Sequence, residues 1–284
     1  MRKIFLGTAF ACGLLFAAAP VLAQGECSRA DLQKATDAYI GAQTKGDATL
    51  VPLSGWTQYS EQMEMGTMST GILSTPQKID FHRSLLDPLS CMSFTEMVIT
   101  DPKHPYVLGT LLEMRGDRVH AIETLITDHD DWLFNAANTL KYSRAEDWSE
   151  IPPEKRESRT KLIAAANAYL DSFDDKSVAV PWGSPCARLE GGLYTGKGAP
   201  GTATAEDSCN VGVPSGVKLT ERRYIVDPAI GAVTVLLRFG KDQLPDAHTF
   251  RIEEGKIRYV HTITVCKTFN CGFKVPKELQ TAGK

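Results

Sequence analysis

"DRVHAIETLI" (Asp117–Ile126) and "KIRYVHTITV" (Lys256–Val265) decide the fold. Both follow a glycine, Gly116 and Gly255, and both are rich in strand-forming residues. Each puts a titratable residue at one slot, Glu123 in the first and His261 in the second. Working outward, further matches appear in the same order. "LQKATDAYIGA" from Leu32 and "LIAAANAYLDS" from Leu162 share Leu, Ala and Ala-Tyr positions, with the apolar spacing of an amphipathic helix. "VPLSGWTQYSE" from Val51 echoes "VPWGSPCARLE" from Val180, and "ITDP" from Ile99 echoes "IVDP" from Ile225. Ordered matches of this kind argue for an internal duplication.

Within each half the order is helix, turn, then strands. "ERRYIVD", "AVTVLLRFG", "HTFRI" and "KIRYVHTITV" follow one another with no long helix between them. That pattern predicts an antiparallel sheet and the α+β class. The stretch Glu146–Arg159 is charged and contains Pro152–Pro153, which reads as a linker. The expected organisation is a first domain over 24–148, a linker over 149–158, a second domain over 159–275 and a tail over 276–284.

Residues 1–23 carry two cationic residues, an apolar run and small residues before Gln24, the pattern of a secretory signal peptide. No later apolar run approaches the ~20 residues of a membrane span. Beyond Cys12 in the leader, the cysteines are Cys27, Cys91, Cys186, Cys209, Cys266 and Cys271. An even set in a secreted chain predicts disulfides, and proximity within the proposed domains favours Cys27–Cys91, Cys186–Cys209 and Cys266–Cys271. Cysteine and histidine spacing does not suggest zinc, and no metal or cofactor is expected. A net charge of −3 with 8% aromatic residues is unlike the basic footprint of a nucleic-acid binder. The expected partner is a small molecule, with neither nucleic acid nor membrane.

The helices "ATDAYIGAQTKGDATLV" and "AANAYLDSFDDKSVAV", with the terminal strand pair, resemble the SnoaL-like (nuclear transport factor two-like) family. "RLEGG", "VHTIT" and "DWLF" also look like a group of secreted fungal proteins. The resemblance implies two cones, each a curved antiparallel sheet wrapped around N-terminal helices. It further implies packing as an intrachain pseudo-dimer, so that a monomer suffices. The family includes dehydratases, isomerases, hydrolases and binding modules, and fold alone does not choose among them.

Alternation in the last strand puts Ile257, Tyr259, His261, Ile263 and Val265 on one face, the more apolar one, so His261 is expected to line the core or pocket. A two-residue turn at Glu254–Gly255, or a four-residue loop over the same centre, pairs Ile252 with Ile257 and is expected to place His248 opposite His261, whereas a three-residue loop breaks that register. Imidazoles in a half-apolar pocket suit proton transfer near neutral pH. Arg188 and Glu190, two apart, share a face and supply a cation for developing negative charge and a carboxylate to orient the base. Tyr224, Tyr259, Phe250 and Asp227 are candidate substrate contacts. Tyr59, Glu61, His82 and Glu123, with Arg83 beside His82, make the corresponding first-half set. The expected function is a secreted, cofactor-independent lyase or isomerase acting on a small, partly apolar molecule. The alternative is a noncatalytic binding or structural protein. The Gly-rich run Gly191–Gly216 has no first-half counterpart and reads as a rim or lid over the second pocket.

Overall fold

The computed structural model describes residues 27–197, 204 and 206–277. The expected leader and most of the expected tail lie outside the described residues, as does part of the Gly-rich run. The described chain forms two similar units. Each has one long helix and a six-stranded sheet.

The first unit opens with α1 (Arg29–Lys45). Ser28 caps it by accepting the Asp31 N–H, and Asp31 reaches back to the Ser28 N–H, satisfying N-terminal donors that a helix cannot pair itself. Gly46, at φ 66°, ends it in the left-handed region. The strands are β1 (Leu53–Glu61), β2 (Glu64–Met65), β3 (Phe81–Asp87), β4 (Met92–Ile99), β5 (Tyr106–Arg115) and β6 (Arg118–Thr127). A connecting helix, α2 (Ala136–Ala145), precedes the Pro-containing linker. The second unit repeats the plan with α3 (Arg159–Asp171), β7 (Trp182–Glu190), β8 (Leu193–Tyr194), β9 (Leu219–Asp227), β10 (Ala232–Phe239), β11 (Leu244–Glu253) and β12 (Lys256–Thr264).

The strand orders are β2-β1-β6-β5-β4-β3 and β8-β7-β12-β11-β10-β9, the same arrangement twice. The sheets are mixed rather than wholly antiparallel. β1 lies parallel to β6, and β7 lies parallel to β12. Adjacent strands joined by tight turns must be antiparallel, but β1 and β6, like β7 and β12, are neighbours in the sheet that lie far apart along the chain, so no turn dictates their direction.

Leu32, Ala35 and Tyr39 of α1 pack on Met97, Leu108, Leu112 and Ile122 of the first sheet. Leu162, Ala166 and Tyr169 of α3 pack on Val226, Val235, Phe250 and Val260 of the second. A third apolar core joins the opposite faces of the two sheets, through Phe94, Val98, Leu111 and Leu125 from one and Ile225, Leu236, Ala247 and Ile263 from the other. Three disulfides are formed, Cys27–Cys91, Cys186–Cys209 and Cys266–Cys271.

Two details of the repeat differ from the sequence reading. "IVDP" at Ile225 ends β9, whose counterpart is β3, so its structural equivalent is "LLDP" at Leu85–Pro88 rather than "ITDP" at Ile99. The second concerns β12. Ile252 pairs with Ile257 across a two-residue turn in which Glu254 and Gly255 have φ of 51° and 71°. One residue later the register slips, because Arg258 is extra, and Arg251 faces Tyr259. His248 therefore pairs with Thr262, and His261 with Thr249. A bulge of one residue reverses which face the following side chains occupy. β6 has the same slip, with Met114 opposite Val119 and Glu113 opposite Ala121.

Candidate functional site

The bulge separates the two histidines. Ile257 and Val260 point into the core beneath α3, whereas Ile263 belongs to the core between the sheets. His261 takes the second direction, whereas His248 faces the first, inside the second unit beside Tyr169 and Phe173.

His261 sits in a buried cluster assembled from both units. Its Nδ1 lies 3.1 and 3.2 Å from the two carboxylate oxygens of Glu96 on β4. Its Nε2 lies 2.7 Å from Glu146 Oε2, just after α2. Trp148 Nε1 donates to the same Glu146 oxygen at 2.8 Å. Arg83 of β3 donates to Glu96 at 3.1 Å and stacks its guanidinium 3.8 Å from the centre of the Trp148 ring. Burial disfavours a charged imidazole, but Glu146 and Glu96 outweigh it, and the pKa of His261 rises to about 9. Burial likewise opposes ionisation of Glu96, but His261 and Arg83 pull it down to about 2. Arg83 Nη2 also lies 2.9 Å from His261 Nδ1, so the cluster engages both ring nitrogens and leaves neither open to a ligand.

Glu123 occupies the equivalent slot on β6 and meets the equivalent arginine. Arg223 of β9 holds it with a fork, Nη1 to Oε2 at 2.8 Å and Nη2 to Oε1 at 2.5 Å. The duplicated slot is a contact between the units in both copies.

The second unit's interior contains a cleft of about 800 Å³ with largely apolar walls. His248 lines it, with Nδ1 2.5 Å from Asp246 Oδ1. Thr264 donates to the other Asp246 oxygen at 2.5 Å. Asp246 and His248 alternate along β11 and so share a face, opposite Thr264 and Thr262 of β12. The Asp246 carboxylate engages Nδ1 of His248, so Nε2 is the ring nitrogen left for a ligand. From β7, Arg188 and Glu190 line the same cleft, paired at 3.1 Å. Arg188 also donates to the Tyr169 hydroxyl at 3.2 Å and to the Val211 carbonyl. Arg188 Nε and Thr262 Oγ1 are buried without a hydrogen-bond partner among the described residues. Phe173, Phe239 and Leu244 supply apolar wall, and Trp132 and Phe273 border it from the connection and the C-terminal loop.

Of the residues singled out in the sequence, His248, Arg188 and Glu190 line this cleft. His261 does not belong with them, because of the bulge. Phe250 is buried behind His248 in the core, with ring centres 6.1 Å apart. Tyr224 is directed to α3, where its hydroxyl donates to Asn167 at 2.8 Å. Tyr259 stacks on Trp148 between the units, and Asp227 is buried at the junction with the first unit. None of these four lines the cleft.

The first-half set is not brought together. Tyr59 donates to Glu61 at 2.6 Å, and Glu61 accepts the Ile72 N–H at 2.5 Å. Gly71 packs against both side chains and Leu73 is fully buried beside them, so the chain itself fills that end of the first unit. His82 is exposed on β3, and Glu123 faces the other unit. Where the second unit has His248 opposite Thr262, the first has Thr110 opposite Thr124, bonded to each other and to Tyr39.

Asp246 was missed, although the signal was present: "DAH" puts a carboxylate and an imidazole two apart on a strand. Glu96 comes from β4, and Glu146 and Trp148 from the segment just after α2, and no local pattern joins them to His261. The described part of the Gly-rich run contributes Gly212, Pro214 and Gly216 to the cleft wall. It is tied down by Cys186–Cys209 and by the Cys186 N–H to Asp207 carbonyl bond of 3.1 Å.

Residues 155–264 match the model of a family described as "Domain of unknown function" (DUF8021). The match covers less than half of the chain and lies within the second unit and its approach. It spans Arg188, Glu190, Asp246, His248, Thr262 and Thr264, the polar lining just described. A search of curated proteins gives no significant match to the chain.

Proposed function

We propose that the second unit is a cofactor-independent lyase or isomerase working on a small, partly apolar organic molecule, and that the first unit is its structural partner. The observation that carries this reading is the Asp246–His248 pair, at 2.5 Å, set in a mostly apolar cleft of about 800 Å³. Asp246 fixes the tautomer and stabilises the imidazolium formed when His248 Nε2 takes a proton from substrate carbon or oxygen. The same Nε2 then returns the proton to a leaving hydroxyl, for elimination, or to a neighbouring carbon, for isomerisation. Arg188, kept cationic beside Glu190, stabilises negative charge that develops on a substrate oxygen. Apolar walls exclude water and strengthen each of these interactions.

The reading extends the resemblance to SnoaL-like proteins: each unit is taken as a cone of sheet around its helix, open in the second copy and plugged in the first. The internal packing of the sheets makes a monomer self-sufficient. Three disulfides support residence in an oxidising compartment, in keeping with a secreted protein. Among the described residues no helix is long and apolar enough to cross a membrane.

The test is mass spectrometry of a metabolite extract incubated with the wild-type chain and with His248→Ala. Conversion of a partly apolar compound by the wild type and not by the variant is expected. Compounds that bind the cleft but emerge unchanged from the wild type identify a noncatalytic carrier and overturn the enzymatic reading.

A further inference from the structure

The cleft differs in polarity between floor and mouth. Phe173 is buried and in ring contact with both Phe239 and His248, so the interior around the dyad is aromatic. The mouth is formed where β9 begins and β10 ends. There the Gly240 N–H donates to the Lys218 carbonyl at 2.9 Å, which brings Lys218 and Lys241 together at the rim. Both are exposed, both line the cleft, and neither has an ion-pair partner among the described residues. Lys267 reaches the same turn, its Nζ donating to the Asp242 carbonyl at 2.7 Å. Among the residues that line the rim, Lys218 and Lys241 stand against one carboxylate, Asp242, since Glu190 is already paired with Arg188. The chain as a whole carries a net charge of −3, so this cationic rim runs against the global balance.

We propose that the ligand of this cleft is an anionic amphiphile. Its apolar body lies against Phe173, Phe239 and Leu244, and its carboxylate, sulfate or phosphate head lies at the mouth beside Lys218 and Lys241. The proposal rests on the cleft being the site of the proposed function and adds the polarity of the molecule it takes. It also places the chemistry: His248, in the aromatic interior, meets a group along the body of the ligand and not the charged head.

The test is calorimetric titration of the whole mature chain with dodecanoate, dodecan-1-ol and dodecyltrimethylammonium, each below the concentration at which it aggregates. Dodecanoate is expected to bind about tenfold more tightly than the alcohol, with the ammonium weakest, and the preference should shrink as salt is raised. Lys218→Glu/Lys241→Glu, two exposed substitutions that leave the core untouched, should abolish or reverse the order. His248→Gln should leave the order unchanged. Equal affinities for the three probes, no binding of any of them, or an order unmoved by the double lysine variant would overturn the assignment. Loss of conversion in His248→Ala is a separate readout, so failure of the ligand class and failure of the acid–base reading are told apart.

Discussion

Asp87 and Asp227 each accept a backbone N–H from the strand that carries the other. Leu86 N–H donates to Asp227 Oδ2 at 2.9 Å, and Val226 N–H donates to Asp87 Oδ2 at 2.9 Å. Each carboxylate is also held by an arginine next to the start of a long helix, Arg29 on Asp227 at 2.7 Å and Arg159 on Asp87 at 2.5 Å. The duplication is thus written into the interface itself. Equivalent residues make equivalent bonds in both directions, as in an isologous dimer.

Both aspartates are almost fully buried, so removing either charge strands a buried N–H and an arginine. Asp87→Ala and Asp227→Ala should each lower unfolding free energy by about 3 kcal/mol. Denaturant unfolding monitored by circular dichroism measures this. Because the two sites are equivalent, the two losses should be similar, and a loss confined to one variant would contradict the symmetry.

The duplicated slot should be costly to disturb in one copy and cheap in the other. His261→Ala leaves Glu96, Glu146 and Arg83 buried with broken partnerships and should cost about 3–5 kcal/mol. Glu123→Gln removes a charge from a pair whose arginine side chain is 47% exposed, and should cost under about 1 kcal/mol. At a temperature where His261→Ala remains folded, its affinity for cleft ligands should match the wild type. A selective loss of binding would return His261 to the site.

The same cluster sets a pH window. The pKa of His261 is raised from 6.5 to about 9, so its contribution is complete below pH 6.5 and is lost as pH rises through 9. Glu96 is lowered from 4.5 to about 2, so its contribution is complete above pH 4.5 and is lost as pH falls through 2. Thermal unfolding should therefore show a plateau between pH 4.5 and 6.5 from this cluster, declining on both sides. The alkaline decline, on the order of 3 kcal/mol, should be absent in His261→Gln.

Asp246→Asn keeps the shape of the dyad but offers Nδ1 an amide that favours the wrong tautomer. Turnover should fall by roughly 10²–10⁴-fold with little change in KM. A matching loss in KM alone would show that Asp246 shapes the cleft without orienting the base.

Opening the Cys186–Cys209 bridge, as Cys186→Ser/Cys209→Ser, frees the rim segment that carries Gly212, Pro214 and Gly216. Stability should drop by about 3 kcal/mol, with weaker binding of cleft ligands. Proteolysis within the rim segment should accelerate, and an unchanged rate there would show the rim to be held by other contacts.

Much of this was legible in the chain. The helix matches, the turn at Glu254–Gly255 and the close pair Cys266–Cys271 are local patterns, and local geometry enforces them. Arg188, Glu190 and His248 were recognisable as polar residues on inward faces. The first-half pocket was not excluded by sequence, because the residues that fill it, Gly71 to Leu73, come from a connection whose path depends on the finished sheet.

The sequence by itself determined that the chain is a duplication, that each copy is α+β, and which titratable side chains share a strand face near a turn. Alternation and helical spacing act over a few residues, so they can be read without neighbours. Only the tertiary structure decided which histidine faces the cleft. Arg258 shifts the ladder by one position, and a single extra residue turns every later side chain to the opposite face. No rule of spacing along one strand reports that, because a bulge is defined by what the strand beside it does.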